Sequence, residues 1–129
     1  MTQDSPVTGR TGLDRIVHAA INSWSGLRQA YCGESAFRQE AWLAALMLPA
    51  AFWVGRNPIE IALLAGSVAL VLIVELLNSA VEAVVDRVSL DWHELSKRAK
   101  DIGSAAVLLA LLCCAGVWMA VIAQRWLAP

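Results

Sequence analysis

One stretch of this chain, from Ile102 to Ala123, contains no charged residue and no histidine. A helix needs about 20 apolar residues to cross the hydrocarbon core of a bilayer. In lipid, helices and closed barrels are the only structures that satisfy every backbone polar group. The whole chain is 58% hydrophobic and 16% charged, whereas soluble domains are roughly 45–50% apolar. We therefore predict an all-α membrane protein.

Two further apolar runs precede this one. Ala41 to Gly55 is uncharged but short, so it reaches the length of a span only if its helix begins near Ser35. Ile59 to Val74 is interrupted only by Glu60 at its start, and its helical pattern continues to Val88. The sequence thus predicts three transmembrane helices, at about 35–55, 59–88 and 97–124.

The residues ahead of the first span divide into an arm and a helix. Residues 1–12 are polar and rich in Gly and Pro, so we predict a flexible N-terminal arm without a chemical function. From Leu13 onward, apolar residues recur at helical spacing with polar residues between them. This pattern predicts an amphipathic surface helix over about 13–33. Residues 13–129 then form a single membrane domain.

The basic residues predict the orientation of the chain. Every Lys and Arg except Arg56 and Arg125 falls before the first span or between the second and third. Because cytoplasmic loops carry the excess of Lys and Arg, the N-terminus should be cytoplasmic. Three spans then place the C-terminus on the opposite, periplasmic side. The net charge of −1 leaves no large basic surface, so we expect no nucleic-acid partner.

Acidic residues cluster at the inner end of the second span. Glu75, Glu82 and Asp86, with Asn78 and Ser79 between them, are spaced to lie along one stripe of a helix. Ionisable side chains at membrane depth are costly, which marks them as functional candidates. The alternative is a polar seam that holds helices together. A seam does not need this much negative charge, so we favour a site.

Basic residues at the start of the third span complement this stripe. Lys97 and Lys100 follow helical spacing together with Asp101. Such lysines usually form plain ion pairs, but they can equally bind a phosphate. Carboxylates suit Mg²⁺ and ammonium groups suit phosphate oxygens, so the two stripes suit a metal-bound polyphosphate. The sequence contains neither a P-loop nor a protein-kinase motif.

Two segments closely resemble the signature of the prokaryotic diacylglycerol kinases. They are the run ELLNSAVEAVVDR from Glu75 to Arg87 and the run HELSKRAKDIGSAAV from His93 to Val107. The similarity also takes in Ser23 to Arg28 and Ala36 to Glu40, and covers the chain from about Leu13. It implies a homotrimeric helical bundle with shared active sites in the bacterial inner membrane. The implied reaction is ATP-dependent, Mg²⁺-requiring phosphorylation of the primary hydroxyl of 1,2-diacylglycerol to phosphatidic acid, in phospholipid recycling at the cytoplasmic face.

The resemblance also implies roles for individual residues. Glu75 would be the general base that takes the proton of the lipid hydroxyl, and Asn78 would orient it. Glu34 and Glu82 would hold the divalent ions that bridge the ATP phosphates, and Asp86 would support the site. Further nucleotide-binding residues would be Arg15, Asp91, Trp92, His93, Lys100 and Asp101. Lipid-binding residues would be Arg15, Ser23, Trp24, Arg28, Ala36, Arg38, Gln39, Glu40 and Glu75.

Two other functions stay open at this point. Close relatives within the family accept a polyprenol, so the chain would then be an undecaprenol kinase, and an apolar lipid groove fits either substrate. The second is a non-enzymatic small membrane protein in which Glu75 and Glu82 line a polar path. That function predicts proton or cation flux in vesicles and no ATP turnover when lipid is added.

Overall fold

The structure is a computed structural model that describes residues 11–128, and this part of the chain folds into four α-helices. They are α1 (Leu13–Gly33), α2 (Ser35–Val54), α3 (Pro58–Val88) and α4 (Glu94–Trp126). Residues 11–128 contain no β-strand. The predicted all-α fold is confirmed. Of the arm predicted for residues 1–12, only the last two residues lie within the described part of the chain.

Side-chain caps begin the two longest helices. The Asn57 side chain accepts a hydrogen bond from the Glu60 backbone N–H at 3.0 Å at the start of α3. The His93 ring accepts one from the Leu95 N–H at 3.1 Å at the start of α4. Such caps satisfy backbone groups that have no partner within the first helical turn. The cap on α4 explains why this helix begins ahead of Lys97, where the sequence pattern placed its start.

The core lies where α2, α3 and α4 meet. Helix α3 packs along α4 and more briefly against α2, whereas α1 touches α2 and α3 over a short length only. Small side chains let the helices approach closely, and Ala51 and Leu64 are completely shielded from solvent. The buried core residues are Ala44, Ala51, Val54, Leu64, Val68, Val71, Ala110, Cys114, Trp118 and Val121.

Helices α3 and α4 are long and apolar enough to cross a membrane. Only 28% and 22% of their most apolar windows are buried by the rest of the protein. Soluble proteins rarely expose so much contiguous apolar surface, so these helices indicate a membrane protein. Helix α2 does not meet the same criterion, and its crossing stays a prediction. Its 20 residues correspond to about 30 Å, the thickness of the hydrocarbon core.

Helix α1 is largely uncovered by the rest of the bundle. Leu13, Ile16, Ile21 and Trp24 are all largely exposed, and Ala30 is the one residue of α1 that is buried. An amphipathic helix with an uncovered apolar side suits the boundary between lipid headgroups and acyl chains. The position of α1 at the membrane surface stays a prediction.

At the end of the bundle remote from α1, Arg125 ties α4 to α2. Its Nη1 donates hydrogen bonds to the backbone carbonyls of Trp53 and Val54 at 2.6 and 2.7 Å. The last carbonyls of a helix have no partner within it, so Arg125 completes the end of α2. Its guanidinium also lies 4.7 Å from the ring centroid of Trp126 and 5.8 Å from that of Trp53.

We expect Arg125→Leu to lower the free energy of unfolding by about 2 kcal/mol, because two carbonyls lose a charged hydrogen-bond donor. Unfolding by SDS in mixed micelles, followed by circular dichroism, measures this change. Gln124→Leu replaces the exposed neighbouring residue and should leave stability unchanged. Equal stability of the two variants would show that the Arg125 contacts do not stabilise the bundle.

Candidate functional site

An elbow between α1 and α2 carries the first acidic residue of the site. Glu34 has an extended backbone (φ −113°, ψ 112°) that ends α1 and begins α2. Arg38 braces this elbow, because its Nη1 donates to the carbonyls of Tyr31 and Cys32, each at 3.0 Å. The elbow therefore holds Glu34 at a corner that faces α3. Arg38, predicted to bind lipid, here caps the end of α1.

Glu75 is the one charged side chain that is buried among the described residues, with 7% of its surface exposed. Its Oε2 atom is buried without a hydrogen-bond partner, and so is Oε2 of Glu40 on α2. The charged groups that face Glu75 are the carboxylates of Glu34, Glu40 and Glu82. Buried charges are normally paired or coordinate a cation. This concentration of carboxylates therefore requires a proton or a bound cation to balance it.

Asn78 lies one turn along α3 from Glu75. Its Nδ2 donates a hydrogen bond to Oε1 of Glu82 at 3.1 Å. Its Oδ1 is buried without a hydrogen-bond partner in the described chain. The sequence predicted that Asn78 orients Glu75, whereas the hydrogen bond in the structure goes to Glu82. Asn78 thus orients the second carboxylate of the stripe.

A hollow of about 350 Å³ lies where α3 ends and α4 begins. Lys100 Nζ pairs with Asp86 Oδ1 at 2.7 Å across the two helices, and Lys97 Nζ pairs with Asp101 Oδ2 at 2.5 Å along α4. These four side chains are between 42% and 63% exposed. Exposed ion pairs are weak, so an anionic ligand can replace the carboxylates as partner of the lysines. The predicted nucleotide-binding residues that line this hollow are Asp91, Trp92, His93, Lys100 and Asp101.

A larger groove of about 700 Å³ runs between α1 and α3. Its polar lining includes Ser23, Glu34 and Ser79, and the small side chains of Ala80 and Ala83 leave room on the α3 side. Mostly apolar grooves with a few polar groups are typical of sites for amphipathic ligands. Helix α3 lines both the groove and the hollow. A ligand in either cavity would therefore lie beside the helix that carries the carboxylate stripe.

The structure does not bring every predicted residue to these two cavities. Glu40 lines a small apolar space among α2, α3 and α4, beside Met47 and Val71. The other predicted residues that line neither the groove nor the hollow are Arg15, Trp24, Arg28, Ala36, Arg38, Gln39, Glu75, Asn78 and Glu82. Their roles stay predictions.

Several lining residues escaped the sequence reasoning. Gly26 and Gln29 face the groove, and Ser89 and Ser96 face the hollow. Glycine, glutamine and serine are ordinary residues on exposed helix surfaces and at helix ends, so these four positions carried no signal. Only the packing of the helices brings these residues to the two cavities.

Glu34 lines the groove, and Glu34 and Glu82 both face Glu75, so these two carboxylates offer oxygen ligands to a divalent cation. No three His, Cys, Asp or Glu side chains in residues 11–128 converge on a complete metal site. Mg²⁺ is usually bound by one or two carboxylates together with waters and substrate phosphates. This incomplete set of oxygen donors therefore fits Mg²⁺ that binds together with a polyphosphate.

Comparison with known proteins identifies the family of this chain. The family model described as prokaryotic diacylglycerol kinase matches residues 21–122. The chain is 53% identical to the diacylglycerol kinase of Escherichia coli (strain K12) over 108 residues, which are 84% of this chain and 88% of that relative. It is 49% identical to the Haemophilus influenzae diacylglycerol kinase, over 84% of this chain and 92% of that protein. The Pseudomonas aeruginosa diacylglycerol kinase is 48% identical over 92% of this chain and 96% of its own length.

Proposed function

The chain belongs to the prokaryotic diacylglycerol kinase family and is a kinase, and from this we propose that it transfers the γ-phosphate of ATP to the primary hydroxyl of 1,2-diacylglycerol. The observation that carries the proposal is the buried Glu75 carboxylate, whose Oε2 has no hydrogen-bond partner. Helix α3 carries it beside Leu76 and Ser79, which line the groove. A general base must lie within reach of the hydroxyl proton that it removes.

The groove between α1 and α3 is the proposed lipid site. Its lining is mainly apolar, which suits acyl chains, and Ser23 and Ser79 offer hydrogen bonds to a glycerol headgroup. Helix α1, with its exposed apolar side, would place the groove at the membrane surface, where lipid hydroxyl groups lie. The hydroxyl can then approach Glu75 without leaving the lipid layer.

In the proposed reaction, Glu75 takes the proton of the hydroxyl while the hydroxyl oxygen forms a bond to the γ-phosphorus of ATP. The bond between the γ-phosphorus and the oxygen that bridges to the β-phosphate breaks, and ADP leaves. The proton passes from Glu75 to water when phosphatidic acid departs. Phosphoryl transfer depends mainly on positioning and on neutralising charge. The lysines of the hollow supply positive charge for the phosphates.

The hollow between α3 and α4 is the proposed nucleotide site. Lys100 would exchange Asp86 for a phosphate oxygen, while Trp92 and His93 would contact the base. Glu34 and Glu82 would hold Mg²⁺. A bound Mg²⁺ neutralises charge on the phosphates.

We also propose that the protein acts as a homotrimer in the bacterial inner membrane, with its active sites at the cytoplasmic face. Exposed small residues on α3 and α4, such as Gly66 and Ala106, would let the helices of other copies approach closely, which supports association. Arg15 and Arg28 line neither cavity of their own protomer, which supports sites shared between neighbours. Phosphatidic acid is a phospholipid precursor, so the reaction would return diacylglycerol to phospholipid synthesis.

Transfer of labelled phosphate from ATP to dioctanoylglycerol, by the purified protein in mixed micelles with Mg²⁺, tests the proposal. We expect labelled phosphatidic acid, and its formation should stop when Mg²⁺ is chelated. Undecaprenol offered in parallel is the control substrate. Transfer to undecaprenol alone would reassign the substrate. No transfer to either lipid, together with cation flux in vesicles, would favour the non-enzymatic function.

The groove assignment makes a separate prediction. Ala83→Leu should raise the KM for dioctanoylglycerol about tenfold, because the added side chain occupies acyl-chain space, and the loss of one methylene group's space in an apolar pocket is worth about 1–3 kcal/mol. The KM for ATP should not change. Ala69→Leu makes the same change at an exposed position on α3 outside the groove and serves as the control. A raised KM for both substrates in Ala83→Leu would contradict a lipid-specific groove.

A further inference from the structure

Gly103 on α4 lies directly against Asn78 on α3. A Cβ atom added at Gly103 would overlap Asn78 Oδ1, and it would come within 3.2 Å of Asn78 Cγ. The other described glycines of α3 and α4, Gly66 and Gly116, would meet nothing within 4 Å. The space beside Gly103 is therefore already filled, and the group that fills it is one carboxamide.

That carboxamide has a single orientation in the structure. Asn78 Nδ2 donates to Glu82 Oε1 at 3.1 Å, while Oδ1 points at Gly103. Oδ1 has no hydrogen-bond partner in the described chain, so no hydrogen bond on that side holds the amide in place. Contact with Gly103 and the bond to Glu82 together define where the amide group lies.

We infer that Gly103 is a positioning residue: the absence of its Cβ leaves the space in which the Asn78 amide sits, so that Asn78 holds the Glu82 carboxylate toward the divalent cation. The inference rests on the proposed function, because that function makes Glu82 a metal ligand. Groups that hydrogen-bond to metal-binding side chains orient them, and their loss typically weakens metal affinity or activity by 10–100-fold.

If Gly103 served only the close packing of α3 against α4, Gly103→Ala would destabilise the bundle. The contacts around Gly103 predict a smaller effect. The overlap at Gly103 involves the far end of a side chain, and the Asn78 Cβ would remain 3.9 Å from the new atom. Rotation of the Asn78 amide relieves the overlap with Oδ1, and a shift of a few tenths of an ångström in the Asn78 side chain relieves the tight contact with Cγ. Alanine is moreover a better helix former than glycine. Gly103→Ala should therefore leave the bundle intact and displace only the Asn78 amide.

The test measures metal binding as well as activity. Mn²⁺, which is visible by electron paramagnetic resonance, is titrated into the purified protein in micelles with a non-hydrolysable ATP analogue. We expect Gly103→Ala and Asn78→Ala each to weaken Mn²⁺ binding about tenfold. The Asn78→Ala/Gly103→Ala double variant should bind no more weakly than Asn78→Ala, because both changes remove the same interaction. Gly116→Ala, on the same helix in open space, is the matched control and should bind as the parent does.

Companion measurements of activity and stability separate the outcomes. The Mg²⁺ concentration for half-maximal phosphate transfer should rise in Gly103→Ala in parallel with the Mn²⁺ dissociation constant, and SDS unfolding should not change. Parental Mn²⁺ binding by Gly103→Ala would overturn the inference, as would an effect that adds fully to Asn78→Ala. Loss of helicity in Gly103→Ala would overturn it too, since the glycine would then serve helix packing. A parent protein that transfers no phosphate to lipid would refute the proposed function instead.

Discussion

Glu75→Gln is expected to lower kcat for phosphate transfer to diacylglycerol by about 10³-fold, within the 10²–10⁴-fold range that general base catalysis contributes. Glutamine keeps the shape of glutamate but cannot take up the hydroxyl proton. The side chain is 7% exposed, so water is poorly placed to act in its stead. The KM values for ATP and lipid should stay within about threefold, because an effect confined to kcat marks a group that acts in the transition state.

Two further variants are the controls for this result. Glu60→Gln removes a carboxylate from the same helix, but at its opposite end, where Glu60 pairs with Arg56 at 2.7 Å. Its activity should equal that of the parent. Glu40→Gln removes the other carboxylate that has a buried oxygen without a partner. Full activity in Glu75→Gln and a collapse in Glu40→Gln would move the base from α3 to α2.

Lys100→Met should lower activity about 100-fold, the loss typical when one preorganised donor to a developing charge is removed. In the structure the Lys100 ammonium faces Asp86 at 2.7 Å. Its contribution is therefore either to join α3 to α4 or to neutralise phosphate. The proposed function assigns it the second role, because both side chains are more than two-fifths exposed and such pairs contribute little stability.

Asp86→Asn separates the two roles, because it breaks the same ion pair and leaves the ammonium in place. It should retain activity within a few-fold of the parent, with a KM for ATP that is unchanged or lower. Lys100→Arg keeps the charge with a different geometry and should retain part of the activity. Equal losses in Lys100→Met and Asp86→Asn, with equal destabilisation towards SDS, would show that the pair only joins the helices.

The helices were predictable because their signals are local. An uncharged run such as Ile102 to Ala123 has few alternatives to a membrane helix. The carboxylate stripe was predictable for the same reason, because helical spacing alone aligns Glu75 with Glu82. The residues of the hollow came from the family signature, and the structure brings them together.

The contacts that were missed depend on residues far apart in the chain. Arg125 binds carbonyls about 70 positions earlier, and no periodicity links the two segments. The family resemblance assigned Asn78 to Glu75, but the Asn78 amide lies against Gly103 of α4 and bonds to Glu82. Arg38 could not be seen as a cap for α1 before the elbow at Glu34 was known. Side-chain rotamers and the contacts at helix ends depend on residues that are distant in the chain, so local sequence patterns do not predict them.

Helix α3 is longer than the hydrocarbon core is thick, so it places the proposed lipid and nucleotide sites at different depths of the membrane. Its 31 residues extend for about 46 Å, against a hydrocarbon core of about 30 Å. With the turn at Asn57 on one surface, Glu75 comes near the far boundary of the hydrocarbon. Asp86 stands about 16 Å further out, in water. The nucleotide therefore binds without entering the hydrocarbon layer, and the lipid substrate reacts without leaving that layer. Water-soluble alcohols such as glycerol, which do not partition to the depth of Glu75, are excluded as acceptors by location rather than by shape.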